Sequence, residues 1–280
     1  MNPYIRLMRL DKPIGIYLLL WPTLWALFLA AEGLPSIALL IIFISGVAIM
    51  RTAGCVINDY ADRKIDKFVE RTKTRPITSG EITPNSAIAI FFGLIAVAFI
   101  LVLMTNWLTI KLSFIAVFIA TLYPFTKRWT NFPQIVLGIA FAMSVPMSFA
   151  ATNNYVPNSA WWLFIATIVW TFIYDTMYAM ADRDDDLKIG IKSSAIILGK
   201  YDIYIIAILQ IILLLLLLKI SEIYSLGYFF YLSIIVCGFI MIYHQSLINK
   251  REKDQCFKAF LNNHYIGMVI FLGIAFSVAI

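Results

Sequence analysis

The sequence predicts an all-α integral membrane protein, a bundle of nine transmembrane helices, and three observations carry that prediction. Of its 280 residues, 61% are hydrophobic and only 14% charged. The apolar residues fall in repeated runs of about 20, the length a helix needs to cross a bilayer. The connections between runs alternate between nearly uncharged and basic, as expected of a chain that crosses a membrane repeatedly. A soluble domain of this length would need more polar surface than 22 basic residues, 16 acidic residues and 2 histidines supply. The whole chain, residues 1–280, reads as a single membrane domain.

The spans centre near Leu20, Val47, Val97, Ile115, Ala140, Val169, Leu213, Ile235 and Ile270. Connections one, three, five and seven (AEGLPS, TNW, ATNNYVPNSA and KISEIYS) are short and almost free of Lys and Arg. Assigning the N-terminus and the even connections to one face gives that face 20 of the 22 Lys and Arg, Arg51 in span two included, and leaves only Lys111 and Lys219 on the other. The basic face is expected to be cytoplasmic, with the C-terminus opposite. The segment before the first span, MNPYIRLMRLDKPIG, resembles neither a cleavable signal nor a transit region, so a bacterial inner membrane is the expected location. The net charge of +6 reflects this topology and contact with lipid or an anionic substrate, and is no argument for nucleic acid. Cys55, Cys237 and Cys256 form no CxxC pair and His244 and His264 have no ligand spacing, so they read as free thiols and interfacial histidines.

Charge at span ends is more informative, because a carboxylate at mid-bilayer costs about 2.5 to 3.5 kcal/mol. Asn58-Asp59-Tyr60-Ala61-Asp62-Arg63-Lys64-Ile65-Asp66 follows span two, and Asp182-Arg183-Asp184-Asp185-Asp186 follows span six, with Asp175 earlier in the apolar run. At about 100° per residue, Asn58, Asp62 and Asp66 form one stripe if the helix continues, as do Asp175, Asp182 and Asp186. Arg51 joins the first stripe, and an offset of 124 residues superposes Arg51, Asn58 and Asp62 on Asp175, Asp182 and Asp186, a weak sign of internal duplication. Asp59, Arg63, Asp184 and Asp185 read as well as solvated loop charge. Asp175 does not, since it needs a partner or a wet cavity.

Two carboxylate clusters facing one cavity repel unless a multivalent cation lies between them. Oxygen ligands favour Mg²⁺ or Ca²⁺, and Mg²⁺ completes its shell with water and phosphate, so the pattern reads as a bridged diphosphate. Arg71, Lys73 and Arg75 after the first stripe, Lys127 and Arg128 after span four, and Lys188 and Lys192 after the second stripe are candidates to clamp that anion. Tyr123, Tyr174 and Tyr178 lie near the acidic clusters and divide between packing and function. An ion-coupled carrier would also face carboxylates inward, but carriers place ion sites near the midplane on broken helices, whereas these acids lie at helix ends.

NDYADRKID with the following RTKTRPITSGEIT, and YDTMYAMADRDDDLKIGIKSSAI, closely resemble the two aspartate-rich signatures of the UbiA family of membrane prenyltransferases. The opening MRLDKPIGIYLLLWPTLWAL and the run DRDDDLKIGIKS are similar to members that use 4-hydroxybenzoate as acceptor; other acceptors in the family are a dihydroxynaphthoate, a haem or a chlorophyllide. The strong resemblance runs from about Leu7 to about Ile197 and continues as hydropathy. It implies a bundle around a central cavity, open sideways to lipid and capped by cytoplasmic loops, and a reaction in which polyprenyl diphosphate alkylates the aromatic acid in ubiquinone biosynthesis. It further implies Mg²⁺ held by Asn58, Asp62, Asp66, Asp182 and Asp186, with Arg71, Lys73, Arg75 and Lys127 adding charge. Arg51 and Asn58 are candidates for holding the aromatic acid, Arg128 is an alternative carboxylate partner, and Asp175 could orient the phenol. Asp182 or Asp186 could take the proton.

Overall fold

The structure, a computed structural model, describes residues 2–68, 72–126 and 128–279. Among them are twelve α-helices and no strand: α1 (Pro3–Leu7), α2 (Ile14–Ala31), α3 (Ile37–Asp62), α4 (Pro84–Leu103), α5 (Trp107–Thr126), α6 (Pro133–Ala142), α7 (Ser144–Asn153), α8 (Ala160–Ile189), α9 (Ser194–Leu198), α10 (Asp202–Ile223), α11 (Tyr228–Ile248) and α12 (Lys253–Ala279). Nine segments among the described residues are long and apolar enough to cross a membrane, with α6 and α7 forming the fifth and α9 and α10 the seventh. This is the expected span count.

Local chemistry sets the ends and breaks. Ser36 caps α3 by accepting from Leu39 N at 3.3 Å, and Thr83 caps α4 by accepting from Ser86 N at 3.2 Å, with Pro84 in the first turn. Pro146 lacks an N–H and crowds the carbonyl four residues back, that of Ala142, where α6 stops. Gly190 ends α8 in the left-handed conformation at φ 71°.

Packing divides the bundle. A dense core joins α2, α7, α8, α10, α11 and α12 around buried Trp25, Phe149, Trp170 and Phe230. Trp25 Nε1 donates to Gly267 O at 2.9 Å, and the Trp25 and Trp170 rings are 5.2 Å apart. Helix α8 is 67% buried over its most apolar stretch, against 17% for α4 and 22% for α5. Phe92, Phe118 and Phe239 lie on the outer surface, as expected where the solvent is hydrocarbon.

The dense half depends on close helix approach. A Cβ on Gly267 would fall 2.5 Å from Trp21 Cδ1 and 2.6 Å from Trp170 Cη2, atoms of rings that are themselves packed. Gly267→Ala is therefore expected to cost about 2 kcal/mol through overpacking, seen as a lower unfolding midpoint of the detergent-purified protein; an unchanged midpoint would contradict this account of α12 packing.

Candidate active site

The looser packing of α3, α4 and α5 against the dense half leaves a cavity of about 960 Å³. One end is polar. Arg51, Asn58, Asp59 and Asp62 from α3 line it, with Asp66, Thr72, Thr74 and Arg75 from the following loop, Asp175, Tyr178, Asp182 and Asp186 from α8, and Lys192. The other end is apolar, walled by residues such as Ile42, Phe43, Phe92, Phe99, Phe114, Val117 and Met147. Phe99 and Phe114, with ring centroids 5.6 Å apart, also reach the outer surface, so the wall between α4 and α5 is one side chain thick there.

The stripe on α3 ends sooner than the periodicity suggests. The α-helix stops at Asp62, and Asp66 lies on a 3₁₀ turn, Asp66–Phe68, so the turn rather than continued helix brings Asp66 to the cavity. Its carboxylate accepts from Arg75 Nη1 at 2.7 Å, while its backbone carbonyl accepts from Thr72 Oγ1 at 3.1 Å. Burial pushes the Asp66 carboxyl above its ordinary range, with Asp62 acting in the same direction and Arg75 against it. Burial also works against the Arg75 charge, yet Asp59 and Asp66 hold that guanidinium above its ordinary value.

Asp59, which reads in the sequence as solvated charge, is 1% exposed and accepts from Arg9 Nη2 and Arg75 Nη1, each at 3.0 Å. One ion-pair chain thus runs from the N-terminal segment through Asp59 and Arg75 to Asp66. The charges immediately before the first span, Arg9, Asp11 and Lys12, all line the cavity, and their position beside a run otherwise apolar was the available signal.

Arg51 is half-buried among Gly15, Phe141 and the groups around Asp175. A Cβ on Gly15 would fall 2.2 Å from Arg51 Nε, so only glycine leaves room for the guanidinium, whose carbon is 6.0 Å from the Phe141 ring centroid. Asp175, Tyr123 and Tyr174 are within Coulombic reach of Arg51, and all three line the cavity. The expected charged partner of Asp175 is therefore in place. Arg51 Nε itself is buried without a hydrogen-bond partner.

Other candidates are more peripheral. Lys188 lies about 200° around α8 from Asp186; its side chain is 75% exposed and 3.6 Å from Asp185 Oδ1. Arg128 Nη2 donates to Ala61 O at 3.0 Å, tying the α5 end to α3, and Lys73 is exposed. Among the described residues, the cavity lining includes none of these three. Arg71 and Lys127 lie outside the described residues.

Among the described residues no three Asp, Glu, His or Cys side chains converge tightly enough to cage a metal ion alone. The donor set nevertheless suits Mg²⁺. It is all oxygen, it approaches one cavity from two sides, and its buried Asp66 gains from a nearby cation. Such an arrangement can accommodate a cation whose shell a phosphate-bearing ligand would complete, with room alongside for a long apolar group.

A family model described as the UbiA prenyltransferase family matches residues 19–272. Over 273 residues the chain is 64% identical to a 4-hydroxybenzoate octaprenyltransferase of Vesicomyosocius okutanii subsp. Calyptogena okutanii, covering 98% of this chain and 100% of that protein. It is 56% identical to a protein of the same name from Saccharophagus degradans, covering 97% and 91%. In fold it is similar to the apo structure of a UbiA homolog from Aeropyrum pernix K1, with TM-score 0.81 and 24% identity over 93% of this chain and 96% of that one. It is also similar to a UbiA homolog from Archaeoglobus fulgidus bound to GPP and Mg²⁺, with TM-score 0.78 and 17% identity over 99% of each chain. With a family match across most of its length and relatives more than half identical along nearly all of it, the chain belongs to the UbiA prenyltransferase family.

Proposed function

We infer that this chain transfers a polyprenyl group from polyprenyl diphosphate to the ring carbon ortho to the hydroxyl of 4-hydroxybenzoate, releasing diphosphate, as a step in ubiquinone biosynthesis. The observation that carries this reading is a cavity that joins two aspartate clusters and the Arg51 guanidinium, whose Nε is buried without a partner, at one end to an apolar chamber at the other. The relatives that bear the name 4-hydroxybenzoate octaprenyltransferase at 64% and 56% identity support the acceptor.

Asn58, Asp62 and Asp66 on one side, and Asp182 and Asp186 on the other, would hold Mg²⁺, which when bound supplies the charge that lets diphosphate leave. Arg75 and Lys192 add positive charge at the same end, and Arg71, Lys73 and Lys127 are further sequence candidates for that role. The allylic C–O bond breaks with its electron pair going to the diphosphate oxygen. The electron-rich ring carbon ortho to the phenol attacks the allylic cation, and loss of the ring proton restores aromaticity. Arg51 pairs with the acceptor carboxylate, since a guanidinium fork matches it and Nε has a donor to give. Asn58 and Tyr123 flank the ring, and Asp175 orients the phenol. The proton passes to Asp182 or Asp186, carboxylates of α8 that line the cavity. Apolar walls keep water from the cation and let the polyprenyl tail pass between α4 and α5 into lipid. The N-terminus and the acidic ends of α3 and α8 lie at the cytoplasmic face of a bacterial inner membrane in this reading, which the basic connections support.

Membranes carrying the protein are expected to convert radiolabelled 4-hydroxybenzoate and polyprenyl diphosphate to a lipid-extractable product with Mg²⁺, and to stop when a chelator is added. Asp62→Ala and Asp186→Ala should abolish turnover while remaining inserted; near-normal activity in either refutes the metal assignment, and product only with a different aromatic acid refutes the acceptor. Arg51→Ala should raise the KM for 4-hydroxybenzoate by about one to two orders of magnitude and change that for polyprenyl diphosphate far less. Gly15→Ala should act in the same direction, because its Cβ takes the space of Arg51 Nε; equal shifts in both KM values would overturn the role given to Arg51.

A further inference from the structure

Four of the five residues Asp182–Asp186 are aspartates at the C-terminal end of α8. That is an unfavourable place for them: like charges three and four residues apart repel, and the helix dipole is negative at this end. Something outside the helix must keep these turns formed and turned so that Asp182 and Asp186 face the cavity.

A buried ion-pair cluster outside the cavity lining meets that need. Asp202, at the start of α10, is 0% exposed and carries two guanidinium groups. Arg183, about 100° around α8 from Asp182, donates from Nη2 to Asp202 Oδ2; the same Nη2 is 2.6 Å from Ala195 O. Arg251, in the connection between α11 and α12, reaches Asp202 Oδ1 through Nη2 at 2.7 Å and Nε at 3.0 Å, and donates to Lys200 O at 2.9 Å. Arg251 holds a left-handed backbone, φ 55°, to do so. Lys253 adds a contact to Asp185 at 3.2 Å. The end of α8 is thus tied to three other parts of the chain through side chains that flank its cavity ligands, Arg183 on one side and Asp185 on the other.

We propose that the Arg183–Asp202–Arg251 clamp positions Asp182 and Asp186 for metal-bridged diphosphate binding. Asp202 and Arg251 are positioning residues: they touch no substrate and act by fixing the rotation of α8. The proposal rests on the reading of Asp182 and Asp186 as metal ligands given above.

The test uses the full-length protein in detergent, with Mn²⁺ as the probe cation and inorganic pyrophosphate present, and counts bound Mn²⁺ by electron paramagnetic resonance. Arg251→Gln, which opens the clamp on its more exposed side, is expected to raise the Mn²⁺ Kd and the KM for polyprenyl diphosphate by about tenfold each, and to leave the KM for 4-hydroxybenzoate within about twofold of wild type. Arg251→Lys should recover part of the loss, and Asp202→Asn should shift the same two constants further; if that buried variant does not fold, Arg251→Gln decides. An unchanged Mn²⁺ Kd in Arg251→Gln, or a uniform loss that follows only the folded fraction, overturns the proposal. The wild-type arm separates the two readings: no Mn²⁺ bound there sinks the metal site itself, whereas tight binding in wild type and Arg251→Gln alike sinks only the clamp.

Discussion

A carboxylate beside hydrocarbon must be compensated, and the arrangement of this molecule follows from how each acidic group meets that demand. Asp59, Asp62 and Asp66 are at most 5% exposed, at the end of a helix that is apolar for most of its length. Uncompensated, each would destabilise the fold by several kcal/mol. Arg9 and Arg75 answer Asp59 and Asp66, which is why the N-terminal segment and the loop after α3 fold back over the same end of the bundle. Asp202 is answered by Arg183 and Arg251, which draw α8, α10 and the last connection together.

The uneven packing of the bundle fits the two halves of the proposed donor. A diphosphate head needs fixed ligands, and α8, the most buried span, supplies Asp175, Asp182 and Asp186 from the face of a rigid core. A polyprenyl tail needs an apolar passage that adapts, and the sparsely buried α4 and α5 provide a thin aromatic wall against lipid. Strong packing throughout would close the passage, and loose packing throughout would let the acidic faces turn away from each other.

Hydropathy made the nine spans legible, since no other arrangement satisfies runs of that length. Helical periodicity likewise placed Asn58, Asp62, Asp182 and Asp186 correctly relative to the cavity. At Asp66 the condition of a continuing helix was not met, yet a 3₁₀ turn brings the residue to the same cavity; Lys188 follows Asp186 closely in sequence but lies on another face of α8, exposed. Asp59 stayed open between the two readings because a buried acid and a solvated one look alike at a span end until Arg9 and Arg75 are seen to converge on it. Gly15 and Gly267 gave no signal, because the space they preserve exists only after α3 meets α2 and α12 meets the two tryptophans.

The matched spacing of α3 and α8 becomes physically meaningful once the helices face one another. About three turns before Asp62 and Asp186, the first stripe carries a cation where the second carries an anion, and Arg51 lies within Coulombic reach of Asp175. At the mouth both stripes carry carboxylates, and Asp62 already pushes the Asp66 carboxyl upward. The inner level can therefore neutralise itself and remain ready for a small aromatic acid, whereas the outer level gathers more negative charge than Arg75 and Lys192 can offset. A metal-bound diphosphate belongs at that outer level because the excess charge there is what makes bringing in divalent cations favourable. The acceptor belongs one level deeper, where a neutral pair can open to a carboxylate and a phenol without leaving a charge stranded in hydrocarbon.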